Sequence, residues 1–288
     1  MEPNLIDIFG SYMSWKITED TWVINSMEGT QNMYLLEGDD RALLVDTLWG
    51  AGNLRAYVEK LTDKPILVIN THGHLDHSGG NGEWENVMML PGAVADLVTC
   101  DRSPFDVSKL PHPDYERQLV HDGDVLELGN RTVEIIEISA HSNGSLALLD
   151  PKNGMLFVGD EFESTQVLMY EVEEREYPER PRFVLKQRLL AHHKNMCRLL
   201  ALRGQWRLIF PAHNGAPIAP SYLEDYIGLV EHIFAGDAQI EDKLNHKYAE
   251  AGDPEHRLCR VRWKKASFFV VKEDLMELWG SGMPENAL

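Results

Sequence analysis

The six residues from His72 to His77 hold three imidazoles and a carboxylate, directly after the apolar run Pro65-Ile66-Leu67-Val68-Ile69. A chain built this way must end a strand at a cation. His72 and His74 lie two positions apart, so an extended backbone points both to one side and lets them share an ion. Asp76 and His77 follow after the chain has turned, and reach a second. Gly73, Gly79 and Gly80 allow the backbone to bend tightly around both. Imidazole is a common metal ligand, and clustering it at this spacing without a cation gains a fold nothing.

The stretch Thr71-His72-Gly73-His74-Leu75-Asp76-His77 resembles the H-x-H-x-D-H signature of the metallo-β-lactamase superfamily. The family pattern goes on to a third histidine, a bridging aspartate at a strand end and a last histidine. Here these are His141 in Ser139-Ala140-His141-Ser142-Asn143, Asp160 in Phe157-Val158-Gly159-Asp160, and His213 in Pro211-Ala212-His213-Asn214-Gly215, each closing an apolar strand-like run. The resemblance implies that His72, His74 and His141 hold one metal, that Asp76, His77 and His213 hold another, and that Asp160 bridges them. Nitrogen and carboxylate donors without thiolate suit two divalent ions, zinc first and iron or manganese also. Two such cations make a bridging hydroxide near neutral pH and polarise the substrate oxygen. In this family the carboxylate at Asp76 also positions the water and shuttles a proton. Asp46, ending Leu43-Leu44-Val45-Asp46, matches an aspartate that orients a ligand histidine. Thr71 and Ser142 are candidate hydrogen-bond donors near the ions, with satisfaction of the local backbone as the alternative.

The implied fold is an α/β four-layer αββα sandwich, and the order of elements agrees with it. Strand-like runs fall at 21–24, 33–37, 42–46, 66–70, 87–90, 132–138, 146–149, 155–158 and 207–210, with helices at 53–61, 183–202 and 222–234. Ser221 with Glu224 three residues later reads as a capping box. Residues 1–235 form the expected catalytic domain, with an acidic and helical insert at about 161–202. Residues 236–288 form a C-terminal extension with a strand pair near 257–263 and 267–272 and a helix near 273–278; it is a candidate lid or homodimer face. Glu161, Glu163 and the glutamates up to Glu179 make the insert's first half a candidate lid, and Phe162, Met169, Tyr170 and Tyr177 candidate pocket walls. A solvated loop is the plainer reading of the same residues.

Charge narrows the substrate. With 27 basic and 46 acidic side chains the net charge is −19, which repels a polyanion and argues against nucleic acid. A small-molecule substrate remains, because a pair of cations supplies its own local attraction. No apolar run approaches the roughly 20 residues of a membrane span, and the acidic N-terminus reads as cytoplasmic. Three scattered cysteines do not form a disulfide framework.

The expected activity is hydrolysis of a small ester-like bond: a thioester, a lactone or a phosphodiester. His77-Ser78-Gly79-Gly80-Asn81 resembles the glyoxalase II branch, although no set of basic residues after His213 is placed to bind glutathione. The alternative within the same fold is a persulfide dioxygenase using one iron. A third reading is a binding protein without catalysis.

Overall fold

The computed structural model describes residues 8–27, 29–97, 114–170, 184–241 and 258–280. Its first sheet runs in sequence order: β1 (Tyr12–Thr18), β2 (Thr21–Ser26), β3 (Met33–Glu37), β4 (Ala42–Val45), β5 (Ile66–Ile69), β6 (Asn86–Met89) and β7 (Glu116–Leu119). The second comprises β8 (Val125–Glu127), β9 (Thr132–Glu137), β10 (Leu146–Asp150), β11 (Met155–Gly159) and, beyond the two-residue β12 (Val167–Leu168), β13 (Leu208–Pro211), ordered 13-11-10-9-8. The central strands, such as β3, β4, β10 and β11, are apolar on both faces because each face meets a different layer. On β10, Leu146 and Leu148 point to the inter-sheet core with Leu43, Val45 and Phe157, while Ala147 and Leu149 point outward. On β3, Tyr34 and Leu36 face inward, whereas Met33 and Leu35 pack under α1 (Leu54–Val58) and, beyond the short α2 (Leu75–Ser78), α3 (Pro91–Asp96). Helices α4 (Leu185–Ala201) and α5 (Ser221–Ala235) cover the other sheet through Leu189, Met196, Tyr226 and Leu229. Helix, sheet, sheet, helix is the αββα sandwich.

A third sheet joins β12 to β14 (Gln239–Glu241), β15 (Leu258–Trp263) and β16 (Ala266–Val271), followed by α6 (Lys272–Trp279). Its buried side chains Cys259, Val261, Phe268 and Val270 share one core with α4 and α5. Local details differ from the sequence reading. Pro220 takes the N-cap position of α5 and no side chain caps it, so the Ser221/Glu224 box does not form. β7 is exposed at every residue, so it carries no apolar alternation by which to find it. Phe162 is fully buried 6.1 Å from the Tyr226 ring, a core residue rather than a pocket wall, and Met169 is buried too. Glu161 and Glu163 are also buried and belong to no exposed lid, while the rest of the acidic run from 171 to 183, with Tyr177, lies outside the described residues.

The two sheets are tied together at the end remote from the motif histidines by Arg131, which is fully buried. Its Nε and one terminal nitrogen donate to Asp150 Oδ2 at 3.0 and 2.6 Å, and its other nitrogen donates to the carbonyls of Asp20 and Glu37. Arg131→Met leaves Asp150 charged and buried with its guanidinium partner gone. Urea unfolding should show a loss of about 3–5 kcal/mol, because an uncompensated buried charge costs more than the pair contributes.

Candidate active site

Every motif residue lies where a strand ends. After β5 come His72 and His74, then Asp76 and His77 on α2; the β9–β10 loop carries His141; Asp160 directly follows β11, and His213 follows β13. Gly159 sits at φ 54°, where a Cβ would come within 2.7 Å of Thr71 Oγ1, so the turn into Asp160 requires glycine. The side chains converge in two groups. His72 Nε2 and His141 Nε2 are each 3.0 Å from His74 Nδ1. His77 Nε2 is 3.3 Å from His213 Nε2 and 3.6 Å from Asp76 Oδ2, which is itself 3.4 Å from His213 Nε2. Asp160 lies between the groups, its oxygens 3.3 Å from His77, 3.5 Å from His213, 3.8 Å from His141 and 3.9 Å from His72.

In four of the five rings one N–H has an acceptor away from the centre. His77 Nδ1–H donates to Asp46 Oδ2 (2.9 Å), His141 Nδ1–H to the Leu168 carbonyl (2.8 Å), and His213 Nδ1–H to the Thr30 carbonyl (2.9 Å). His72 Nδ1–H meets Thr71 Oγ1 at 3.1 Å, and that hydroxyl donates to Asp46 at 2.8 Å. Each of these four rings, when neutral, therefore turns a lone pair to the centre. Asp160 Oδ1 is buried there without a hydrogen-bond partner. Lone pairs facing lone pairs at 3.0–3.5 Å are the spacing of ligands around a cation.

The electrostatics agree. Burial holds His72, His74 and His141 below the ordinary imidazole range, hence neutral and able to ligate. Burial also works to lower His77 and His213. Without a cation, Asp160 and Asp76 outweigh it, raising His77 well above its ordinary value and His213 to about 10. No lysine or arginine among the described residues pairs with Asp46, Asp76 or Asp160. The residues present fit divalent cations.

One of the candidate residues serves its own loop. Ser142 Oγ faces Ser145 Oγ at 2.8 Å and accepts from the Gly144 amide, so it organises its own loop rather than touching a ligand. Tyr170 is half-buried at the last described position before 171. Two further residues take roles that the sequence did not signal. Gln31 Nε2–H donates to Asp76 Oδ2 at 2.5 Å from a position bridged through the backbone to His213. Glu161 Oε1 accepts the amides of Ala140 and His141 at 2.9 and 2.8 Å, and burial pushes its carboxyl up to about 7. Glu161→Ala strands both amides. The expected cost is about 1–3 kcal/mol for each buried donor left unpaired, while Glu161→Gln, which keeps the acceptor oxygen, should recover most of it in the same denaturation assay.

A carboxylate set between two groups of residues that could each hold a metal ion, at the strand ends of an αββα sandwich, points to a family of metal-site folds. The chain belongs to the metallo-β-lactamase superfamily, whose family model matches residues 27–240. The acyl-coenzyme A thioesterase MBLAC2 of Gallus gallus is 29% identical over 156 residues, 45% of this chain and 56% of that protein. The hydroxyacylglutathione hydrolase of Erythrobacter litoralis is 34% identical over 158 residues, 55% and 49% of the two chains. The chain thus spans about half the length of the curated relatives it matches. In fold it is similar to a metallo-β-lactamase from Pontibacter korlensis, with a TM-score of 0.56 at 16% identity over 77% of this chain and 99% of that one. No helix among the described residues is long and apolar enough to cross a membrane.

Proposed function

We propose that the chain is a dinuclear metal-dependent hydrolase of small thioesters. The observation that carries this reading is Asp160 set between two triads of inward lone pairs. His72, His74 and His141 would hold one ion, Asp76, His77 and His213 the other, and Asp160 both. When bound, a pair of divalent cations, zinc being the first choice for these donors, supplies a water of lowered pKa and polarises the substrate oxygen.

The protein's own groups then favour one kind of leaving group. Asp76 is about 20% exposed and is oriented by Gln31. Bound to a cation its carboxylate stays ionised, so Asp76 accepts and orients, and stores no proton to donate near neutral pH. A substrate whose leaving group departs as an anion needs no such donor. A thiolate, with a parent pKa of about 8.5, meets that requirement, whereas an alkoxide or amide does not. The relatives' names point the same way, since acyl-coenzyme A and hydroxyacylglutathione are both thioesters.

Elemental analysis should find about two divalent ions per chain, and a panel of acyl-coenzyme A, acylglutathione, lactone and phosphodiester substrates should give the highest kcat/KM with a thioester. A single iron per chain together with oxygen uptake on persulfides would replace this reading with the dioxygenase one.

A further inference from the structure

We propose that strand β16, which lies beyond the family-matched residues 27–240, is the support that aims His141 at the first ion. The inference rests on the metal-centre reading above. Two separate links run from β16 to His141. The first is through the backbone: β16 pairs in parallel with β12, Phe268 opposite Val167 and Phe269 opposite Leu168, and the Phe269 carbonyl accepts the Met169 amide at 2.8 Å. That pairing holds in place the Leu168 carbonyl to which His141 Nδ1–H donates. The second is through side chains. The Phe268 ring meets the buried His192 ring edge-on at 5.0 Å; His192 Nε2–H donates to the Glu161 carbonyl at 2.7 Å, and Glu161 Oε1 accepts the His141 amide.

Side-chain contacts fasten the joint. Ser267 Oγ donates to the Thr165 carbonyl, and Arg260 reaches Gln166 Oε1 at 3.2 Å. β12 has only two residues and one strand neighbour in its sheet, so without β16 the Leu168 carbonyl would have no backbone ladder to fix it. His77 and His213 take their second partners, Asp46 and Thr30, from the first half of the chain. Among the described residues, His141 is the one motif histidine whose ring N–H is held by a carbonyl of β12. Groups that orient a ligand histidine typically carry 10–100-fold of metal affinity, so disturbing β16 should weaken one ion and spare the other.

The test uses the full-length chain in two backgrounds. His213→Ala leaves the first triad intact, and His141→Ala leaves the second. Ser267→Ala with Phe268→Leu loosens the β12 joint while keeping an apolar core side chain; His192→Phe cuts the second link alone, so it decides the matter if the double variant fails to fold. Zinc affinity is read by competition with a chromophoric chelator, with near-ultraviolet circular dichroism as the check of folding. The proposal expects about a tenfold or greater loss in the His213→Ala background and none in the His141→Ala background. Equal losses in both, or no loss in either, would overturn it. A wild-type chain that binds no zinc would instead remove the hydrolase reading and this inference with it.

Discussion

Asp160→Asn should abolish measurable thioester hydrolysis while leaving the metal-free protein folded. Asparagine matches aspartate in volume but removes one negative charge and one donor oxygen from a carboxylate whose two oxygens lie 3.3–3.9 Å from four imidazole nitrogens. Both ions lose a ligand at once. Bound cations contribute several kcal/mol of transition-state charge stabilisation, and at 1.36 kcal/mol per decade that is on the order of a thousandfold in kcat/KM. Metal content should fall from about two ions towards one or fewer. The metal-free protein behaves differently. Without metal, Asp160 faces His77 and His213 and raises both, so Asp160→Asn should cost the metal-free protein stability near neutral pH, a cost that fades as pH rises towards about 10, where His213 loses its proton in wild type as well. Loss of activity with metal content unchanged would remove Asp160 from the ligand set.

How much of this was legible in the sequence follows from the range over which each role is set. His72, His74, Asp76 and His77 lie within six residues, and their spacing alone shows which can share an ion. His141, Asp160 and His213 are far apart in sequence but each closes an apolar strand, and the sandwich brings those strand ends together. Gln31 and the Leu168 carbonyl were not legible. Any residue supplies a carbonyl, and a glutamine before a strand is unremarkable until the β3 edge meets the His213 turn. Glu161 read as the start of an acidic surface because composition cannot distinguish a solvated carboxylate from one that ties down two buried amides. Phe162 looked like a pocket wall for a similar reason: an aromatic next to a metal ligand points inward or outward according to the twist of the strand it follows, and here Tyr226 receives it in the core. Edge strands such as β7, with Glu116, Arg117 and Gln118 in the open, have no buried face to impose a period.

The second large effect tests the orientation of the ligands rather than their identity. Asp46 ends β4 at φ 67°, a left-handed conformation that asparagine adopts as readily as aspartate, so Asp46→Asn leaves the backbone unstrained. What changes is the donor pattern. Both carboxylate oxygens of Asp46 accept: Oδ1 from the Thr71 amide at 2.7 Å, and Oδ2 from the Thr71 hydroxyl at 2.8 Å and from His77 Nδ1–H at 2.9 Å. The asparagine NH2 must take one of these positions, and in either it faces an N–H. If it takes the inner one, His77 can keep a hydrogen bond only by moving its proton to Nε2, where an ion of the second triad would sit. If it takes the outer one, the Thr71 amide is stranded, and Thr71 carries the hydroxyl that fixes the His72 tautomer. The expected result is a 10–100-fold weaker second ion, together with about 1–3 kcal/mol of lost stability from the unpaired donor. Raising the pH should not restore binding, because a neutral amide has no proton to lose. Metal titration at two pH values separates this from simple loss of negative charge: if saturating zinc recovers wild-type kcat/KM at neutral pH with unchanged affinity, Asp46 does not set the histidine tautomer.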